Sequence, residues 1–143
     1  MKNLLILIIV VAVAWYAWTH YHKSSTNTAA TAGASASQSC VAAASAAADT
    51  WGSGVGHFAN PPYDTGAWDD FRNRVETQAR RAEENCLCGD AACAKAKSAM
   101  SDLRSLVAEM DTSLRSGSPP PSDLVQRQEA IDNAVSSARD AAK

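Results

Sequence analysis

Aromatic residues are scarce in this chain, at 6% of the sequence, and an excess of either charge is nearly absent, the net value being -2. With 13 Lys and Arg set against 15 Asp and Glu, the chain has no basic excess for a nucleic-acid surface. It has no dinucleotide fingerprint, phosphate loop, zinc-protease motif or nucleophile elbow, the usual signatures of the common enzyme classes. No stretch alternates apolar and polar residues with period two, which excludes a half-buried sheet and leaves helices. Large apolar side chains are few as well: beyond Lys23 only 19 remain, from Val41 to Val135. The 46% hydrophobic content therefore rests on Ala, which supplies 29 residues, and on one run near the start. A core built from so little is thin, and cross-links are the usual remedy.

That run is LLILIIVVAVAWYAW, 15 uninterrupted apolar residues from Leu4 to Trp18. Crossing about 30 Å of hydrocarbon takes about 20 helical residues, and residues 3–21 nearly supply that length. Trp15, Tyr16, Trp18 and Tyr21 crowd its far end, where amphipathic rings favour the headgroup level. The expectation is a retained transmembrane signal-anchor helix over residues 1–22, with the lipid bilayer as its partner through residues 3–21. The alternative is a signal that is cleaved, leaving a secreted domain. Small-residue sites such as Ala34-Ser35-Ala36 lie far beyond the apolar run, whereas a peptidase site normally follows it closely. Flanking charge is too even to orient the segment, but the four cysteines all lie on its carboxyl side. Disulfides persist in oxidising compartments. A single pass through a bacterial inner membrane, with the C-terminal domain in the periplasm, satisfies both observations.

Residues 23–39, KSSTNTAATAGASASQS, hold no large apolar residue and no charge after Lys23. Such a segment buries too little surface to offset its ordering entropy, so it reads as a flexible tether. Residues 40–143 read as an all-α, small antiparallel bundle of three or four helices. The first helix, about Cys40 to Trp51, is nearly all Ala and places Cys40, Ala44, Ala47 and Trp51 on one face. The second, from Asp64 or Thr65 to about Asn85, carries Trp68, Phe71, Val75, Ala79, Ala82 and Cys86 along one stripe. The third has the clearest pattern. Cys93, Ala96, Met100, Leu103, Val107, Met110 and Leu114 keep a strict 3,4 alternation, with Asp90 as N-cap and Gly117 with Pro119-Pro120-Pro121 as the stop. Ser122 or Asp123 then caps a fourth helix with Leu124, Ile131, Val135 and Ala138 on one side. Acid-before-base pairs at i,i+4 are Asp70 with Arg74, Glu76 with Arg80, Asp111 with Arg115 and Asp123 with Arg127.

Antiparallel first and second helices bring Cys40 beside Cys86, Cys88 and Cys93, gathering four sulfurs at one end of the bundle. Four cysteines allow three pairings. Cys86 and Cys93 both lie on apolar seams, which favours Cys86 with Cys93 and Cys40 with Cys88; the runner-up is Cys40 with Cys86 and Cys88 with Cys93. The same four residues are the candidate ligands of a soft metal, although C-x-C-x4-C plus one remote cysteine is not a strong zinc spacing. Glu83, Glu84 and Asp90 flank them and disfavour a thiolate nucleophile.

Between the first two helices runs WGSGVGHFANPPYDTGAW, a long connection for a bundle. One reading folds Phe58 and Tyr63 back over the bundle end. The other makes it a recognition loop presenting Trp51, His57, Phe58 and Tyr63 to a partner. The expected function is a membrane-anchored, non-catalytic interaction or accessory subunit of a cell-envelope complex, without a cofactor, contacting another envelope protein and no nucleic acid. The rival is a periplasmic metal-binding or thiol-redox protein that uses Cys40, Cys86, Cys88 and Cys93.

Overall fold

The computed structural model describes residues 35–143. The anchor expected over residues 1–22, with Trp15, Tyr16, Trp18 and Tyr21, lies outside the described residues, as do positions 23–34 of the expected tether. Helix α1 spans Ala36–Gly54, longer at both ends than the Ala-rich stretch suggested. Its early start has a local cause. Ser35 accepts from the Gln38 backbone N–H at 3.2 Å, and the Gln38 side chain accepts from the Ser35 N–H at 3.2 Å. This reciprocal capping box recruits residues 36–39 into helix, where the composition had suggested tether.

A 3-10 turn, Val55–Phe58, follows α1 directly. Helix α2 is Thr65–Asn85, capped by Asp64, whose carboxylate accepts from the Ala67 N–H at 2.9 Å. Helix α3 is Ala91–Arg115, capped by Asp90 through the Cys93 N–H at 2.9 Å. It ends where Gly117 takes a φ of 69°, the left-handed turn that glycine adopts without a Cβ penalty. Helix α4 is Leu124–Ala141, and the Asp123 side chain makes no capping bond there. All the described helices belong to one bundle, and no strand occurs among the described residues.

Cross-links between helix surfaces fix the directions. Arg104 of α3 bonds Glu83 of α2 at 3.1 Å, and Arg115 bonds Asp69 at 2.6 Å, so the end of α3 meets the start of α2. Lys95 donates to Ser137 at 2.7 Å and Arg139 to Ser45 at 2.9 Å, which sets α4 antiparallel to α3 and α1. The bundle is therefore up-down-up-down. α1 and α3 each pack on the other three helices, while α2 and α4 flank them.

The buried set explains how a chain with little large apolar surface closes a core. Ala44, Ala47 and Ala48 of α1 and Ala79 and Ala82 of α2 are buried, so helix backbones approach closely and need less side-chain volume between them. All seven seam positions of α3 are buried, joined by Ala92, Ala99 and Leu106, which makes the buried face broader than a 3,4 stripe. Three helices cover α3, and a two-partner seam would leave Leu106 exposed. Of the expected i,i+4 pairs, Asp111 with Arg115 forms at 3.0 Å. Arg127 instead pairs with Glu109 across the α3–α4 groove, and neither Asp70–Arg74 nor Glu76–Arg80 is among the ion pairs of the described residues. Exposed i,i+4 pairs are worth only about 0.3–0.5 kcal/mol, so a cross-helix partner such as Glu109 for Arg127 readily replaces one.

Among the described residues no helix is long and apolar enough to cross a membrane.

Candidate functional site

The two ends of the bundle concentrate its chemistry. At one end α2 terminates with the Cys86 N–H donating to the carbonyls of Ala82 and Glu83. Helical winding up to Asn85 leaves the Cys86 side chain on the inner face, fully buried, with its Cα 4.6 Å from Cys40 in the second turn of α1. The chain then leaves the helix, exposes Leu87, and returns as Cys88 towards the first turn of α3, where the Cys88 and Cys93 Cα atoms are 5.8 Å apart. The bridges are Cys40–Cys86 and Cys88–Cys93. This corrects the favoured expectation of Cys86–Cys93 with Cys40–Cys88. Seam position placed both Cys86 and Cys93 inside, but the Cys86 seam faces α1, and the non-helical residues after it deliver Cys88 to α3.

Asp90 ties this end together. Its carboxylate caps α3 and accepts from the Ser37 hydroxyl in the first turn of α1. The Ser37 hydrogen bond first, and then the Cys93 N–H, hold the Asp90 carboxyl below its ordinary value. The Sγ atoms of Cys40, Cys88 and Cys93 lie within 4.8 Å of one another, and Cys86 is joined to Cys40, so the four sulfurs converge as the sequence suggested. There is no free cysteine among the described residues.

The opposite end is aromatic. Trp51, Phe58, Trp68 and Phe71 form one cluster, with Phe58 5.2 Å from Trp68 and Trp51 5.8 Å from Phe71, centroid to centroid. Trp51 is 1% and Phe58 8% exposed, so both rings pack into the core and do not project from a loop as the recognition-loop expectation had them. The cause is the shortage of large apolar residues: aromatic rings supply much of the buried apolar volume at this end of the bundle. Trp51 belongs to α1 and not to the connection, which shortens to Ala59–Asp64 after the 3-10 turn. Tyr63 is half-buried against the core, and His57 is exposed.

Outside the cluster lies a groove of about 620 Å³, floored by the buried rings Phe58 and Phe71 and rimmed by the exposed Pro62, His57, Asp64 and Arg74. Its size lies within the range of small-ligand and side-chain pockets. An apolar floor with a cationic and anionic rim suits insertion of one apolar side chain whose flanking polar groups meet the rim. Of the loop candidates, His57 and Phe58 line this groove, Phe58 as floor and His57 as rim. Nothing in the sequence ties Arg74 and Asp64 to one groove, since their only signals are a helix-surface charge and a cap.

A third feature lies on the α1–α4 face. Asp49 and Asp132 line one shallow groove with Arg139 and Ser45. Burial first, and then the charge of Asp49, push the Asp132 carboxyl above its ordinary value. Arg72 on α2 is engaged by Asp111 at 3.0 Å and Asp69 at 3.6 Å. Comparison with known protein families, with characterised proteins and with solved structures gives no match.

Proposed function

We propose that this chain is a single-pass, membrane-tethered helical domain on the periplasmic side of the inner membrane, acting as a non-catalytic interaction or accessory subunit of a cell-envelope complex. The observation that carries the reading is the pairing of all four cysteines into Cys40–Cys86 and Cys88–Cys93. Bridges of this kind persist outside the reducing cytosol, and the apolar run from Leu4 to Trp18 supplies the means to hold the bundle against a membrane. The groove beside His57 is the proposed seat of the partner. Its rings form the floor, and the rim residues His57, Asp64 and Arg74 select what flanks the inserted side chain.

The test is affinity capture of the full chain from detergent-solubilised membranes, with Arg74→Glu as the comparison. The expected result is an envelope protein recovered with the parent and reduced with the variant, while both fold alike by circular dichroism. Recovery of the chain only as a lone soluble species lacking its first 20-odd residues overturns the anchored reading. Equal capture by parent and variant overturns the assignment of the groove.

A further inference from the structure

We propose that the four cysteine sulfurs, once their bridges are reduced, form a tetrathiolate site for Zn²⁺. This inference stands apart from the interaction reading, because it needs neither the membrane nor the partner. Three segments converge on the site: the second turn of α1 with Cys40, the α2–α3 connection with Cys86 and Cys88, and the first turn of α3 with Cys93. The Sγ atoms of Cys40, Cys88 and Cys93 already lie within 4.8 Å of one another, and the Cys86 sulfur is one bond from that of Cys40. Zinc with sulfur ligands at about 2.3 Å sets tetrahedral sulfurs about 3.8 Å apart. Cys40 therefore needs to close on Cys88 and on Cys93 by no more than about an ångström to reach that spacing, the bonded pairs open by about two, and Cys86 joins from outside that group of three as its bond to Cys40 opens. Movements of that size are within reach of side-chain rotation and of the non-helical residues after Asn85.

Burial suits a metal as well. Cys40, Cys86 and Cys93 are buried and Cys88 is half-buried, so the site has a dry interior and one open side for entry. The peptide dipole of α3, whose first turn contains Cys93, offsets part of the double negative charge of a zinc tetrathiolate. Asp90 opposes it. The charge of the ion outweighs both, because a coordinating thiol is deprotonated by the metal itself.

The chemistry balances as follows. Each bridge accepts two electrons and two protons from an external dithiol, which leaves as a disulfide, and two thiols form. Zn²⁺ then displaces four thiol protons as it binds. In the reverse direction two external disulfides each accept two electrons from a pair of thiolates and two protons from solvent and leave as dithiols, so both bridges re-form and Zn²⁺ is released. The same residues thus staple α1, α2 and α3 in either redox state, by sulfur–sulfur bonds or by the metal.

The experiment uses the full chain in detergent, reduced with a phosphine that is then removed under anaerobic conditions. Co²⁺ is added as the spectroscopic probe and displaced by Zn²⁺. The expected result is one Co²⁺ per chain with the intense visible bands of a tetrahedral tetrathiolate, absent from the oxidised protein. Cys88→Ser should shift these bands to those of a three-sulfur site, while its circular dichroism remains helical. In a parallel melt, Zn²⁺ should raise the transition of the reduced chain and leave that of the oxidised chain unmoved. No tetrahedral bands, bands unchanged by Cys88→Ser, or a reduced chain that Zn²⁺ does not stabilise would each overturn the site.

Discussion

The indole N–H of Trp68 on α2 donates to Asp111 Oδ1 on α3 at 2.8 Å, linking the aromatic end of the core to an ion network at the surface. The same carboxylate receives Arg72 at 3.0 Å and Arg115 at 3.0 Å. Burial on its own would raise the Asp111 carboxyl, but the Trp68 and Arg115 hydrogen bonds and the charges of Arg72 and Arg115 outweigh it and hold the group below its ordinary 3.8. A carboxyl lowered on folding contributes stability above its unfolded value, and that contribution is lost as pH falls through the folded value. Asp111→Leu strands the buried Trp68 N–H and should cost about 1–3 kcal/mol near neutrality. Asp111→Asn keeps an acceptor and should cost less. Both should flatten the acid limb of a stability profile measured by urea denaturation, and an unchanged limb would remove Asp111 from the account.

The bridges should contribute unequally. Cys40–Cys86 closes a separation of 46 residues and Cys88–Cys93 one of 5. Chain-entropy arithmetic gives about 4 kcal/mol for the long closure and about 2 kcal/mol for the short one. Replacing Cys40 and Cys86 together by Ser should therefore lower the melting temperature more than replacing Cys88 and Cys93 together. Cleavage after Leu87 and before Asp90 separates Cys86, Cys88 and Cys93 into different peptides, and non-reducing mapping should then join Cys40 to Cys86 alone. A Cys40–Cys88 peptide would restore the pairing favoured by seam position.

Where local rules act, the sequence was legible. The 3,4 spacing of α3, the Asp64 and Asp90 caps and the Gly117 stop all describe contacts within a few residues, and each appears in place. The Ser35–Gln38 capping box was equally local and equally readable, but composition masked it. Disulfide partners and cross-helix ion pairs depended on how helices rotate about their axes, which no spacing encodes. Trp51 and Phe58 looked like anchors because they border a glycine-rich connection. In a chain with so few large side chains, the core claims them first. The groove beside them is formed by residues with no shared signal: a cap, Asp64, a helix-surface Arg74 and two rings.

Gly54 shows what the end of α1 requires. A Cβ built there collides with the Phe71 ring, itself held in the aromatic cluster, whereas one at Gly56 meets nothing within 4 Å. Gly54→Ala should cost about 1–3 kcal/mol by overpacking. Gly56→Ala should leave stability unchanged or raise it by about 0.4–1 kcal/mol, since it restricts only the unfolded chain. Thermal melts of the two variants check the pair, and equal effects would mean that α1 does not lie on Phe71.

Leu103 and Arg104 are neighbours in α3 with opposite surroundings. Leu103 is fully buried at the centre of the bundle, and Arg104 is exposed, with one ion pair to Glu83 at 3.1 Å. Leu103→Ala should cost about 2–5 kcal/mol through lost burial and a residual cavity. Arg104→Ala should stay within about 1 kcal/mol, the range of a surface pair. Melts with and without reductant should show the leucine variant losing cooperative unfolding first in the reduced form. Similar small losses for both would place this face of α3 in solvent.

Asp132 provides the opposite pH response to Asp111. Its carboxyl is raised above the ordinary 3.8, by burial first and by the Asp49 charge second. The folded chain therefore binds a proton that the unfolded chain has already released, so stability falls as pH rises from 3.8 through the folded value. Asp132→Asn removes a charge that folding disfavours. The variant should melt above the parent at about pH 7 and match it at about pH 3, where the group is protonated in both states. Asp49→Asn relieves only the second of the two causes and should give a smaller gain at neutrality. A variant less stable than the parent at neutral pH would mean that the Asp132 carboxylate makes a favourable contact on the α1–α4 face, with Arg139 the cationic candidate among the groove residues.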